Sequence, residues 1–246
     1  MPKLTMFEKS PLITAIVEIR FKHPAGDIVS GLIYNALSEK YKQPPEELSI
    51  NQIPLQIRNN DPGLMYSPTH KISKGNKSIA FGPRSISLTY DVFTKNAYPG
   101  WKVTKKELDT IVDLLTKAGL LNNIERIGVR YVNFLQVKDL LSNLTLKLDS
   151  VWSSSGALDE EMNIGFIVND STFKTRVKIN TSTNVRNDKY EINKKGQIID
   201  LDTTLIQGLN SKNVLNNIDK AHDVTKKVFV DLFEEKFFET MGPSYE

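Results

Sequence analysis

The chain has 246 residues, of which 39% are hydrophobic and 25% charged, with a formal net charge of +3 and no cysteine. That length suits one large domain or two fused small ones, with ample material for a core. The lack of cysteine excludes a disulfide framework, a thiolate nucleophile and Cys-ligated zinc or iron–sulfur clusters. The polar amino terminus lacks the apolar core of a signal peptide, and no run approaches the 18 or so apolar residues of a membrane span. A cytoplasmic protein with no membrane association is therefore expected. The mild basic excess permits an anionic partner without requiring one.

In chain order, Leu12 to Phe21 reads as a strand. Ile13, Ala15, Val17, Ile19 and Phe21 share one face, and Glu18 and Arg20 the other. His23-Pro24-Ala25-Gly26 is turn chemistry. Asp27 then opens a helical segment, Ile28 to Tyr41, which Pro44-Pro45 stops. Ile50 to Arg58 reads as a strand in which Pro54 marks an edge position. Leu64 to Ile72 and Ser78 to Tyr90 read as further strands, broken by Lys74-Gly75-Asn76 and Gly82-Pro83. After Tyr98-Pro99-Gly100-Trp101, the stripe Leu108, Ile111, Val112 and Leu115 predicts a helix over Thr104 to Leu120.

Ile124 to Phe134 alternates as a strand, with Ile127, Val129 and Tyr131 facing one way and Arg126, Gly128, Arg130 and Val132 the other. Asp139 opens a second helical segment, Leu140 to Trp152, and Ser153-Ser154-Ser155-Gly156 is a flexible link. Met162 to Val168 and Thr172 to Asn180 form a hairpin about Asn169-Asp170-Ser171. Lys194-Lys195-Gly196 reads as a turn before a strand from Gln197 to Leu205. A long helix from Asn213 to Phe238 ends the pattern.

The first strand and the one at Ile124 look like copies. Aligning Val17-Glu18-Ile19 with Val129-Arg130-Tyr131 carries Asp27 onto Asp139 and the middle helix close to the last one. An internal duplication follows. The expected fold is α+β, with internally duplicated β-α-β-sheet-α halves, 1–122 and 123–246, forming one compact domain. The sheet is mainly antiparallel with helices packed on one face. A pseudo-dyad would set the two strands side by side and pair Glu18 with Arg130.

Several stretches together resemble a family. They are Pro11 to Phe21, Phe81-Gly82-Pro83-Arg84 to Leu88, Tyr98-Pro99-Gly100-Trp101, Arg126 to Asn133, Asp200-Leu201-Asp202, and the last helix with His222 and Phe229. They are similar to a sporadically distributed prokaryotic family of uncharacterised proteins of about this length. The resemblance covers nearly the whole chain, and Arg126 to Asn133 is its most specific piece. It implies a bacterial or archaeal cytoplasmic origin and a patchy, mobile-gene-like occurrence. It brings no catalytic residues.

The candidate ligand-binding residues are Arg130, Asn133, Lys174, Arg176, Lys178, Asp200, Asp202 and His222. There is no Walker loop, GxGxxG, HExxH or GxSxG motif, and no metal or cofactor is expected. Lys174, Arg176 and Lys178 share one strand face, roughly 6.6–6.8 Å apart, close to the spacing of phosphates along a single nucleic-acid strand. Arg186, Lys189, Lys194 and Lys195 extend this basic stripe, unless it is an ordinary solvated face. Arg130 offers a planar fork to an anion and Asn133 a donor–acceptor pair, or both serve structure alone. Asp200 and Asp202 lie on one side of their strand, as a site or as a solvated face. His222 lies on the inward stripe of the last helix, where packing and general-base roles both fit. Tyr98 and Trp101 suit base stacking or a clamp at the helix entry.

Three functions follow. The leading one is a non-enzymatic binding module for an anionic ligand, nucleic acid in particular, or for a partner protein, in a mobile-element or defence setting. The alternative is a hydrolase-like enzyme using His222 with Asp200 and Asp202. The third is a protein-interaction module that forms a homodimer through an exposed strand edge.

Overall fold

A computed structural model describes residues 4–8, 10–92, 98–146, 161–187, 192–205, 207–239 and 241–245. The strands are β1 (Leu4–Phe7), β2 (Leu12–Phe21), β3 (Glu46–Glu47), β4 (His70–Lys74), β5 (Lys77–Gly82) and β6 (Ser85–Asp91). In the second half come β7 (Ile124–Leu135), β8 (Asn163–Asp170), β9 (Phe173–Asn187), β10 (Ile192–Leu205) and β11 (Pro243–Tyr245). The helices are α1 (Ile28–Ser38), α2 (Leu55–Asn60), α3 (Trp101–Lys117), α4 (Val214–Asp231) and α5 (Glu235–Glu239).

Nine strands form one antiparallel sheet in the order β3-β4-β5-β6-β2-β7-β10-β9-β8. The mixed, largely antiparallel α+β architecture expected from the sequence is therefore present. The period-two pattern sorts the two faces. On β2, Ala15, Val17, Ile19 and Phe21 are buried, and across the β2–β7 pair Val17 meets Val129 and Ile19 meets Ile127. Val29, Ile33 and Leu37 of α1, and Leu108, Ile111 and Leu115 of α3, cover that face over the first half. Ile218 of α4 joins the same cluster. A second cluster, with Val177, Ile199 and Leu201, lies beneath Phe229 of α4 and Phe237 and Phe238 of α5. Within the second half, β9, β10 and α4 share a buried polar contact: Thr203 Oγ1 is 2.9 Å from Thr175 Oγ1 and 2.7 Å from Thr225 Oγ1. Each hydroxyl satisfies another, so the core stays closed there.

Several elements differ from the sequence reading. The strand expected at Ile50 to Arg58 is a 3-10 turn, Ser49–Gln52, followed by α2. Pro54 stands at the N-cap of α2 with φ −53, since a fixed φ and a missing N–H suit a helix start as well as a sheet edge. The strand expected from Leu64 shrinks to β4, behind a turn over 62–66. The Lys194-Lys195-Gly196 turn is absent, and those residues lie within β10. A Cβ at Gly196 would collide with Leu135 O and the Phe134 ring, so this glycine permits close strand approach.

Asp139 does cap, accepting a bond from Ser142 N at 3.1 Å, but only a 3-10 turn follows, Leu141–Asn143. The segment then bridges Leu144 to Phe233, and Thr145 N donates to Leu232 O at 2.9 Å. This bridging also breaks the last helix into α4 and α5. The remainder of the expected Leu140 to Trp152 helix, the Ser153 to Gly156 link and Lys189 lie outside the described residues.

Candidate functional site

The helices packed on the sheet, α1, α3, α4 and α5, lie on the face of Val17 and Val129, and among the described residues the opposite face is free of them; it is the helix-free face. Period and register decide what it presents. It carries Glu18 and Arg20 from β2, Arg126, Gly128 and Arg130 from β7, Asp200, Asp202 and Thr204 from β10, and Lys174, Arg176 and Lys178 from β9.

At its centre Glu18 lies directly across from Gly128. The glycine leaves a bare stretch of strand. A Cβ there would stand 2.8–2.9 Å from the Arg126 guanidinium, so Arg126 lies across the position a side chain would occupy. Arg126 Nη1 donates to Glu18, and its Nη2 donates to Asp202 Oδ1 at 2.6 Å and Thr204 Oγ1 at 2.8 Å. Arg130 donates from Nε and Nη2 to the two oxygens of Asp200, at 2.8 and 2.7 Å. That bidentate bond, opposed by burial and aided by the charge of Asp200, raises the Arg130 pKa. The expected Glu18–Arg130 pair is thus not formed. β2 and β7 are neighbours, but Arg126 takes Glu18 and Arg130 turns to β10.

The same network runs toward β6. Arg20 Nε donates to Glu18 at 2.8 Å, and its guanidinium lies 4.5 Å from the Tyr66 ring centroid. Arg84 stands 4.8 Å from that ring and donates to both oxygens of Glu125, and the Tyr66 hydroxyl donates to Glu125 at 3.0 Å. Burial first, and then this bond, raises the Tyr66 pKa. Nothing in the local sequence announced Tyr66 or Arg84, because a loop brings them there. Arg126 was legible in principle, from its position two residues before a strand glycine.

The outer row differs. Lys174, Arg176 and Lys178 are exposed and lie opposite Thr204, Asp202 and Asp200. Those two carboxylates bond to Arg126 and Arg130. The three β9 cations make no ion pair among the described residues.

Asn133 and His222 lie on the other side of the sheet. Asn133 is buried and donates to Ile199 O at 3.4 Å. His222 Nδ1 is 2.7 Å from the Tyr131 hydroxyl, and its ring stacks on Trp101 with centroids 4.0 Å apart. Trp101 Nε1 in turn donates to Asp219 at 3.0 Å. Burial foremost, and then Tyr98, raises the Tyr131 pKa well above the usual phenol range. Tyr98 and Trp101 therefore clamp the start of α3 against β7 and α4 and are taken up by packing. The sheet stands between His222 and the pair Asp200 and Asp202, so the hydrolytic constellation is not assembled.

Six of the eight candidates share the helix-free face. A shallow groove of about 690 Å³ at the end of β7, lined by Phe134, Val137, Lys138, Phe237 and Met241 among others, holds none of them. Among the described residues no group of three or more His, Asp or Glu is placed to hold a metal ion, and no helix is long and apolar enough to cross a membrane. No model of a known protein family matches the chain, and no curated protein matches it.

Proposed function

We propose that the helix-free sheet face is a non-enzymatic binding surface for an anionic polymer, single-stranded nucleic acid above all. The observation that carries this reading is the row Lys174, Arg176 and Lys178: exposed, evenly spaced and, among the described residues, without an ion pair, while the carboxylates opposite are bonded to Arg126 and Arg130. Uncompensated cations at the phosphate spacing of a single strand attract such a polymer by counterion release. A mobile-element or defence setting in a prokaryote belongs to the same reading, as does an acidic surface of a partner protein as the competing ligand.

The test is binding of labelled single- and double-stranded DNA and RNA across a salt series. Three neutralised phosphates on a single strand give a log–log salt slope of roughly −2. The Lys174→Glu, Arg176→Glu, Lys178→Glu triple variant loses about tenfold or more in affinity. Wild-type protein that binds no nucleic acid at low salt would end this reading.

The strand order supports a doubled origin for the fold. β4-β5-β6-β2 on one side of the centre is answered by β7-β10-β9-β8 on the other, and α3 follows β6 as α4 follows β10. In this reading the two copies meet at β2 and β7, which places the Arg126 network on their shared axis.

A further inference from the structure

The two edges of the nine-stranded sheet are built differently. One edge is β3, the two residues Glu46–Glu47, preceded by Pro44 and Pro45. Shortness, charge and proline each discourage another strand from adding there. The other edge is β8, eight residues long, with no proline, no lysine and no charge before Asp170. Among the described residues nothing pairs with its outer side.

Its hairpin fixes which groups point outward. Ser171 and Thr172 join Asp170 to Phe173, and a two-residue loop closes on a hydrogen-bonded pair. Even-numbered residues of β8 therefore bond to β9, in keeping with the Thr181 N to Met162 O bond at 3.0 Å. The N–H and C=O groups of Asn163, Gly165, Ile167 and Asn169 face away from the sheet. On the helix side Ile164, Phe166 and Val168 are only partly buried, whereas α4 packs on β7, β10 and β9. Ile167, on the other face, is 45% exposed.

We propose that β8 is the site at which a second copy of this chain joins, strand to strand and antiparallel, centred on Phe166. The sequence of β8 is self-complementary in that register. Phe166 meets its own copy, Ile164 meets Val168, Asn163 meets Asn169 and Gly165 meets Ile167, so no like charges oppose each other. The contact completes the backbone ladder and covers what remains exposed of Ile164, Phe166 and Val168. An axis normal to the sheet keeps both helix-free faces on one side. The two rows of β9 cations then run three strand spacings apart, roughly 14 Å. This interface does not depend on what those cations bind.

Sedimentation velocity over a concentration series reads the result. Wild-type protein forms a dimer. Asn163→Asp with Asn169→Asp sets carboxylates opposite each other and raises the dimer dissociation constant about tenfold or more. Asn163→Lys with Asn169→Asp sets opposite charges together in the same register and restores the dimer. Ile167→Pro removes an outward N–H without breaking a bond to β9, and gives a monomer that melts near wild type. A wild type that stays monomeric at every concentration overturns the proposal, whether the edge is bare or reserved for another protein's strand. Equal dimerisation by the two charged variants overturns it as well.

Discussion

Glu18 lies across the central strand pair from Gly128, yet the guanidinium that reaches it belongs to Arg126. The glycine makes this possible, because a β carbon there would stand 2.8–2.9 Å from that guanidinium. Removing it forces Arg126 off the strand, leaves Glu18 with Arg20 alone, and takes from the partly buried Asp202 its ion-pair partner among the described residues.

Gly128→Ala is therefore expected to destabilise the fold by about 2 kcal/mol, although alanine suits a strand better than glycine. The effect should be conditional. In an Arg126→Ala background the same change should cost little, because the clashing group is gone. Denaturant melts of the two single variants and the double variant give the coupling. Additive losses would show that Arg126 and Gly128 act separately.

Five tyrosines set the alkaline limit of the protein. Tyr41, Tyr66, Tyr98 and Tyr131 are all raised, each chiefly by burial, and Tyr90 is pushed up to about 12. A folded value above the unfolded one means that the native state holds its proton more tightly. The stabilisation is complete below the ordinary tyrosine pKa, about 10, and is lost as the pH rises through the folded values. Stability should fall steeply above about pH 10. Phenolate absorbance should then appear together with loss of circular dichroism. Ionisation of all eight tyrosines near their ordinary value with the fold intact would contradict this.

The alternation of β2, β7, β9 and β10 was legible because burial has period two, and strand by strand it grouped Glu18 with Arg20, Arg126 with Arg130, Lys174 with Arg176 and Lys178, and Asp200 with Asp202; that the four groups share one face follows from the strand register. Partner choice was not legible. Arg126 and Arg130 both lie two residues from Gly128 on the same face, and only the third strand, with Asp200 and Asp202, separates their roles. Pro54 and Gly196 misled for a related reason. A fixed φ serves a sheet edge or a helix start, and a missing Cβ serves a turn or a close approach, so the residue type alone does not choose. His222 was placed on the right stripe of its helix, but no local signal says which side of the sheet that helix will cover.

Neither half should fold alone. β2 holds the middle of the sheet only while β7 pairs with it, and α4 of the second half contributes Ile218 and Ala221 to the core beneath α1 and α3. A fragment of residues 1–122 would expose a long, uncharged row of Ala15, Val17 and Ile19 beside an open strand edge. The expected outcome is an insoluble or molten fragment. Co-expression with residues 123–246 should restore a cooperative melt. A fragment 1–122 that melts cooperatively by itself would establish the first half as an independent domain.

His222 and Tyr131 separate structural from functional roles. Both lie on the helix side, with the imidazole between Trp101 and the Tyr131 hydroxyl. His222→Ala removes a stacked ring and one of that hydroxyl's two partners, leaving it Tyr98, in a site already costly to charge. A loss of about 2–3 kcal/mol follows from the lost packing and the lost hydrogen bond. Tyr131→Phe removes only the hydroxyl and should cost about 1 kcal/mol. Neither change reaches the face of Lys174, Arg176 and Lys178, so nucleic-acid affinity measured below the melting range should stay within about twofold of wild type, a difference under about 0.5 kcal/mol. Both losses of stability can be read by thermal melts, with Trp101 fluorescence reporting on the stacked imidazole. A His222→Ala protein that keeps its stability but loses binding would move the site to the helix side of the sheet, because the sheet stands between His222 and the β9 cations.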